Sequence, residues 1–194
     1  MTRLGWGILA VFLLAAIVFV AMVGPPLGMA LSNRDRPIPQ YIAVHSGPGV
    51  LGMPVAGVQA GALVDSFSDP RGGGRVHGAI DIPAPRGTMV LAVADGQVEK
   101  LFESRLGGHT LYQRSADGSA VYYYAHLDGY APGMGDGVAV RMGQPIAFVG
   151  STGDADPAAP HLHFEVHRMA PGERWWQGTA VNPYPLLAGN TVAR

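Results

Sequence analysis

His161-Leu162-His163-Phe164-Glu165-Val166-His167 alternates polar and apolar side chains, the period of two that a half-buried β-strand requires. Leu162 and Phe164 then point into a core, while the imidazoles of His161 and His163 share the opposite face and converge on one spot. Working outward, further short segments rich in Val, Tyr, Phe and Thr predict strands at Thr88–Ala94, Gln97–Phe102, His109–Arg114, Ala120–His126 and Pro145–Val149. The turn dipeptides Asp95-Gly96, Asp117-Gly118 and Asp136-Gly137 lie between them and favour antiparallel pairing. Helix is scarce. The pattern predicts an all-β antiparallel sandwich or barrel from Gly61 to Asn190.

A second pair of metal-binding residue types stands upstream, in His77-Gly78-Ala79-Ile80-Asp81. A separation of four returns to the same face in a strand or a helix, and Ala79 between them is small enough to leave space. Gly72 to Gly74, Pro83 and Pro85 argue against helix, which places this pair on a short strand entering a loop. Catalytic zinc takes three protein ligands and keeps one position for water, and His with carboxylate is an ordinary donor set. His77, Asp81 and one histidine of the 161/163 pair would complete such a set; the spacing alone does not say which one.

Composition removes competing chemistries. The 194 residues contain no Cys, so disulfides, thiolate metal sites and a Cys nucleophile are ruled out. Lys100 is the sole lysine, which leaves little scope for Schiff-base chemistry or a lysine-tethered group. A formal net charge of -1 with no basic stripe speaks against nucleic acid as a partner.

Leu4 to Val23 is an uncharged, largely apolar run, and about 20 such residues suffice to cross a bilayer core. With Arg3 before it and Gly24, Pro25 and Pro26 behind it, residues 1–24 are expected to form a transmembrane signal anchor whose following chain is exported. A cleaved signal peptide, with Gly28, Met29 and Ala30 as the small-residue site, is the competing reading. Residues 25–60, rich in Pro and Gly, read as a linker, with His45 solvated in it.

Several ordered motifs carry a resemblance. Arg75-Val76-His77-Gly78-Ala79-Ile80-Asp81-Ile82, Gly87-Thr88-Met89-Val90, Asp95-Gly96-Gln97-Val98, Tyr124-Ala125-His126-Leu127, Gly143-Gln144-Pro145-Ile146, Val149-Gly150-Ser151-Thr152-Gly153, Pro160-His161-Leu162-His163-Phe164-Glu165 and Val181-Asn182-Pro183 together resemble the lysostaphin/LytM-type zinc metallopeptidases. The resemblance implies a lysostaphin-type, two-sheet half-open barrel or sandwich, related to the duplicated hybrid motif, behind the N-terminal transmembrane helix. It implies one zinc per chain held by His77, Asp81 and His163, with His126 and His161 as catalytic histidines, and peptidoglycan peptide crosslinks as substrate. The expected location is the outer face of a bacterial inner membrane, the chain a monomer by default, with room for a regulatory protein partner.

Two rival classes fit the residues less well. A noncatalytic LytM-like activator of another wall hydrolase would be expected to lack the ligands, yet His77, Asp81 and His163 are all present. Biotinyl or lipoyl carriers share the Gly-Gln turns, but Lys100 lacks their flanking motif. Two stretches depart from the family pattern: the acidic loop Asp154 to Ala159, and the insertion Arg168 to Thr179. In the insertion, Trp175 and Trp176 on a strand would face opposite ways, one packing inward and one lining the substrate surface, with ordinary core packing the favoured expectation. His109 and His167 match no motif position.

Overall fold

The computed structural model describes residues 51–189. The apolar run Leu4–Val23, the linker residues 25–50 and His45 lie outside them. Among the described residues no helix is long and apolar enough to cross a membrane.

In chain order the strands are β1 (Pro70–Arg71), β2 (Arg75–Val76), β3 (Ile80–Pro83), β4 (Met89–Leu91), β5 (Gly96–Ser104) and β6 (Gly108–Ser115). They continue with β7 (Ala120–Tyr130), β8 (Ala139–Val140), β9 (Pro145–Val149), β10 (His161–Arg168) and β11 (Thr179–Val181), and one short helix follows, α1 (Pro183–Ala188). Every pairing between these strands is antiparallel, as the turn dipeptides predicted. β1 and β2 form a separate hairpin, and the large sheet runs β11-β10-β7-β6-β5-β8.

β10 organises the site. Leu162 and Phe164 are fully buried, and Phe164 packs its ring 5.2 Å from that of Tyr124 on β7. Burying side chains of this size stabilises the fold by about 1.5–3 kcal/mol each. One edge of β10 pairs with β7; the other pairs first with β3 and then with β11. On β3, Ile80 and Ile82 are buried while Asp81 between them faces the same side as His163, its direct cross-strand partner.

One edge of β7 pairs with β6, and the other serves two neighbours in turn. Its first half pairs with β10, and from Leu127 onward it pairs with β9, which in turn pairs with β4. The change happens at His126, whose φ of 59° is the sole positive value at a non-glycine among the described residues. The turn needs Gly150 opposite it, because a Cβ there would lie 2.4 Å from the Asp128 nitrogen and 2.8 Å from the His126 carbonyl oxygen.

Four expectations are corrected. Residues 51–60 are not all linker: Leu51 and Val55 are buried in the core, and Gly52 donates to the Val93 carbonyl at 2.7 Å. His77 and Asp81 do not share one strand; Asp81 sits on β3, while His77 lies in the link after β2, where Gly78 at φ 72° turns the chain. Trp175 and Trp176 occupy a turn rather than a strand. Trp175 packs 4.5 Å from the Tyr112 ring, and Trp176 is 54% exposed beside Arg174; neither lines the histidine cleft. The strand predicted to Ala94 stops at Leu91, where the pairing of β4 with β9 shifts register.

Candidate metal centre

Three donor atoms meet at the cleft floor. His77 Nε2, Asp81 Oδ1 and His163 Nδ1 stand 3.1 Å from one another in each pairing. Zinc bonds of about 2.0–2.1 Å set tetrahedral ligands about 3.3 Å apart, so the spacing suits one small divalent ion. These are the residues that form a candidate metal group among the described residues.

Each donor is aimed by a partner on its far side. His77 Nδ1–H donates to the Ser66 carbonyl at 3.0 Å, which leaves the Nε2 lone pair facing inward. Burial pulls the His77 pKa below its ordinary value, favouring the neutral ring a metal needs. His163 donates from Nε2 to Glu165 at 2.9 Å, so its Nδ1 is the inward atom. Arg71 on β1 donates from Nη2 to Asp81 Oδ2 at 2.9 Å, leaving Oδ1 for the site. Burial would raise the Asp81 pKa, but His163 above all holds the carboxyl well below the usual range and therefore ionised.

The Ser66 support is itself anchored. Asn182 caps α1 by accepting from the Tyr184 N–H at 2.9 Å and donates from Nδ2 to both oxygens of Asp65, at 3.0 and 3.1 Å. The Val181-Asn182-Pro183 motif thus fixes the segment that orients His77, with Pro183 opening the helix where its missing N–H is harmless.

Two more imidazoles overlook the three donors. His161 donates from Nδ1 to the Ala159 carbonyl at 2.9 Å, and its Nε2 lies 3.8 Å from Asp81 Oδ1. His126 donates from Nδ1 to the Thr152 carbonyl at 2.9 Å, its ring 4.9 Å from that of His161 and 5.5 Å from that of His163. Burial lowers the His126 pKa, so this ring too is neutral near pH 7. With Nδ1–H spent on a carbonyl, the neutral form of either ring has its lone pair on Nε2.

All five histidine and aspartate positions expected from the sequence come together here. Sequence reading did not assign Arg71, Ser66, Glu165 or His167. Glu165 was readable, since the alternation of β10 puts it on the face of His163. His167 donates from Nε2 to the other Glu165 oxygen at 2.5 Å, which links a histidine outside every motif to the site. His109 stays apart, 6.1 Å from the Tyr130 ring.

The chain is 35% identical over 129 residues to the L-Ala--D-Glu endopeptidase of Bacillus subtilis, covering 63% of this chain and 38% of that protein. It is 43% identical over 93 residues to the DD-carboxypeptidase/endopeptidase Mpg of Neisseria meningitidis, covering 47% of this chain and 20% of that protein. The chain thus spans well under half the length of these relatives. Its fold resembles the catalytic domain of the antimicrobial peptidase lysostaphin from Staphylococcus simulans, with TM-score 0.52 and 32% identity over 60% of this chain and 83% of that one. Helicobacter pylori Csd3 is also similar, with TM-score 0.54 and 26% identity over 71% of this chain and 33% of that one. Residues 75–183 match peptidase family M23, and the chain belongs to that family.

Proposed function

We propose that this protein is a zinc-dependent endopeptidase that hydrolyses peptide crosslinks of bacterial peptidoglycan. The observation that carries the reading is the 3.1 Å triangle of His77 Nε2, Asp81 Oδ1 and His163 Nδ1 beneath two further imidazoles. The donor set fits zinc by element type, spacing and orientation. Zinc held there would act as a Lewis acid on the scissile carbonyl and would acidify water.

The remaining chemistry falls to the chain's own side chains. His161, with Nδ1–H fixed on Ala159, offers Nε2 as the acceptor of the water proton. The proton that His161 takes then goes to the leaving amine, directly or by way of Nε2 of His126, whose Nδ1–H is fixed on Thr152 and whose ring lies 4.9 Å from that of His161; while it carries the proton, His126 hydrogen-bonds the developing oxyanion. Arg71 and Glu165 hold Asp81 and His163 in place through the reaction. Membrane tethering through Leu4–Val23 would confine hydrolysis to wall within reach of the linker, on the outer face of the inner membrane.

Digestion of purified peptidoglycan by the wild-type chain and by His161→Ala and His163→Ala tests the assignment, with products identified by mass. The wild type is expected to release peptide-cleaved muropeptides. His163→Ala is expected to lose zinc and activity together, and His161→Ala to keep zinc while its rate falls about 100-fold or more. Undiminished release by either variant would contradict the proposed roles.

A further inference from the structure

Both signs of charge line the cleft. The β1–β2 hairpin presents Arg71 and Arg75, with Arg71 bonded to Asp81, and the loop between β9 and β10 presents Asp154 and Asp156, with Asp154 held beside the backbone of His126. Arg71 is tied by Nη2 to Asp81, yet its side chain is 45% exposed. Arg75 gives Nε to the Gly72 carbonyl at 3.2 Å, and its terminal nitrogens have no partner among the described residues.

The acidic wall is held to the His126 side. The Asp154 N–H donates to the Leu106 carbonyl at 2.9 Å, and the neighbouring Gly107 carbonyl accepts from the His126 N–H at 2.8 Å. The Asp154 carboxylate has no hydrogen-bond or ion-pair partner among the described residues. Asp156 spends Oδ1 on the Ala158 N–H at 2.8 Å and keeps its other oxygen free.

Guanidinium groups at the Asp81 end and carboxylates at the His126 end of a reaction centre discriminate both charge and direction. A substrate carboxylate gains charge-assisted hydrogen bonds at the arginines, and a substrate ammonium gains them at the aspartates. A peptide lying the other way would set its carboxylate against Asp154, which is repulsive. A glycine bridge has no side-chain charge and gains nothing from either wall.

From this we infer that the cleft takes a direct crosslink between stem peptides, with a carboxylate on the Arg71/Arg75 side and an ammonium on the Asp154/Asp156 side, in preference to a neutral glycine bridge. The inference rests on the endopeptidase reading and narrows its substrate class. Family membership alone does not supply it, because the two relatives above are named for different bonds.

The test uses two stem-peptide dimers that differ in one group beside the scissile bond, a carboxylate in one and a carboxamide in the other. Affinity is measured by fluorescence anisotropy with the zinc-loaded full chain carrying His161→Ala, which suppresses turnover. The carboxylate dimer is expected to bind about tenfold more tightly. Arg75→Gln, and more strongly Arg75→Glu, added to that background should erase the preference. Equal affinities, binding of neither dimer, or a preference unchanged by both Arg75 variants would overturn the inference. Selective binding without cleavage of either dimer by the wild-type chain would uphold the charge selection and contradict the endopeptidase reading. Cleavage of both dimers with equal affinity would do the reverse.

Discussion

Glu165 accepts the Nε2 proton of His163 on one carboxylate oxygen at 2.9 Å. His167 occupies its other oxygen, so the carboxylate cannot swing away, and His163 is locked with Nδ1 turned toward the metal position. Partners of this kind are worth about 10- to 100-fold in metal affinity. Glu165→Ala should weaken zinc binding by about that factor in a chelator competition, while Glu165→Gln, which keeps an acceptor for His163, should lose less. Equal zinc affinity in the wild type and Glu165→Ala would remove this role.

Zinc uptake should release a proton from His163. Burial works against the charged ring, but hydrogen bonds to Asp81 and Glu165 outweigh it and raise the pKa from 6.5 to about 9. The metal-free ring is therefore protonated near neutral pH, and zinc must displace the proton on Nδ1. His77, whose pKa is lowered by burial, has none to give. Calorimetry in buffers of different ionisation heat should find about one proton expelled per zinc. The sign for stability follows from the raised pKa: its contribution is fully present below 6.5 and is lost as pH rises through about 9. The Tm of the metal-free protein should fall across that window, and that of the zinc-loaded protein should not follow it.

Asn182 lies far along the chain from His77 but supports it through Asp65 and Ser66. Asn182→Ala removes both the helix cap and the two bonds to Asp65. Loss of the cap alone costs about 1 kcal/mol. Zinc affinity should fall measurably as well, read by the same chelator competition; a variant that is less stable but binds zinc normally would confine Asn182 to the helix.

Tyr124 provides a control away from the metal. Its hydroxyl accepts from the Val93 N–H at 3.1 Å and donates to Gln113 Oε1 at 2.7 Å, and Gln113 Nε2 donates to the Ala94 carbonyl at 2.6 Å. Tyr124→Phe leaves a buried N–H and a buried amide oxygen without this partner, at about 1–3 kcal/mol. Denaturant unfolding should show that loss with zinc affinity unchanged.

How far the sequence disclosed this protein follows from what local pattern can carry. The alternation of β10 announced its strand, its core face and the histidine face, because a period of two survives in the residues themselves. The site position of His126 has no such signature. A regular β7 would send it to the core side with Tyr122 and Tyr124, and the positive φ at His126 turns the ring into the cleft instead. Family resemblance supplied it where periodicity would have misplaced it. Arg71 was hidden for a related reason, since its approach to Asp81 depends on the Gly72–Gly74 turn, in which Gly73 and Gly74 have φ of 78° and 75°. Neither expectation for the tryptophan pair holds, core packing or a substrate-lining face, because adjacent residues alternate only on a strand, and residues 175 and 176 form a turn that leaves Trp176 exposed.

The most direct measurement is release of soluble muropeptides from purified peptidoglycan by the full-length chain, before and after a chelator and again with zinc restored. Release by peptide-bond cleavage should stop with the chelator and return with zinc. Release that persists in the zinc-free protein, or no release by protein shown to hold one zinc per chain, would contradict it.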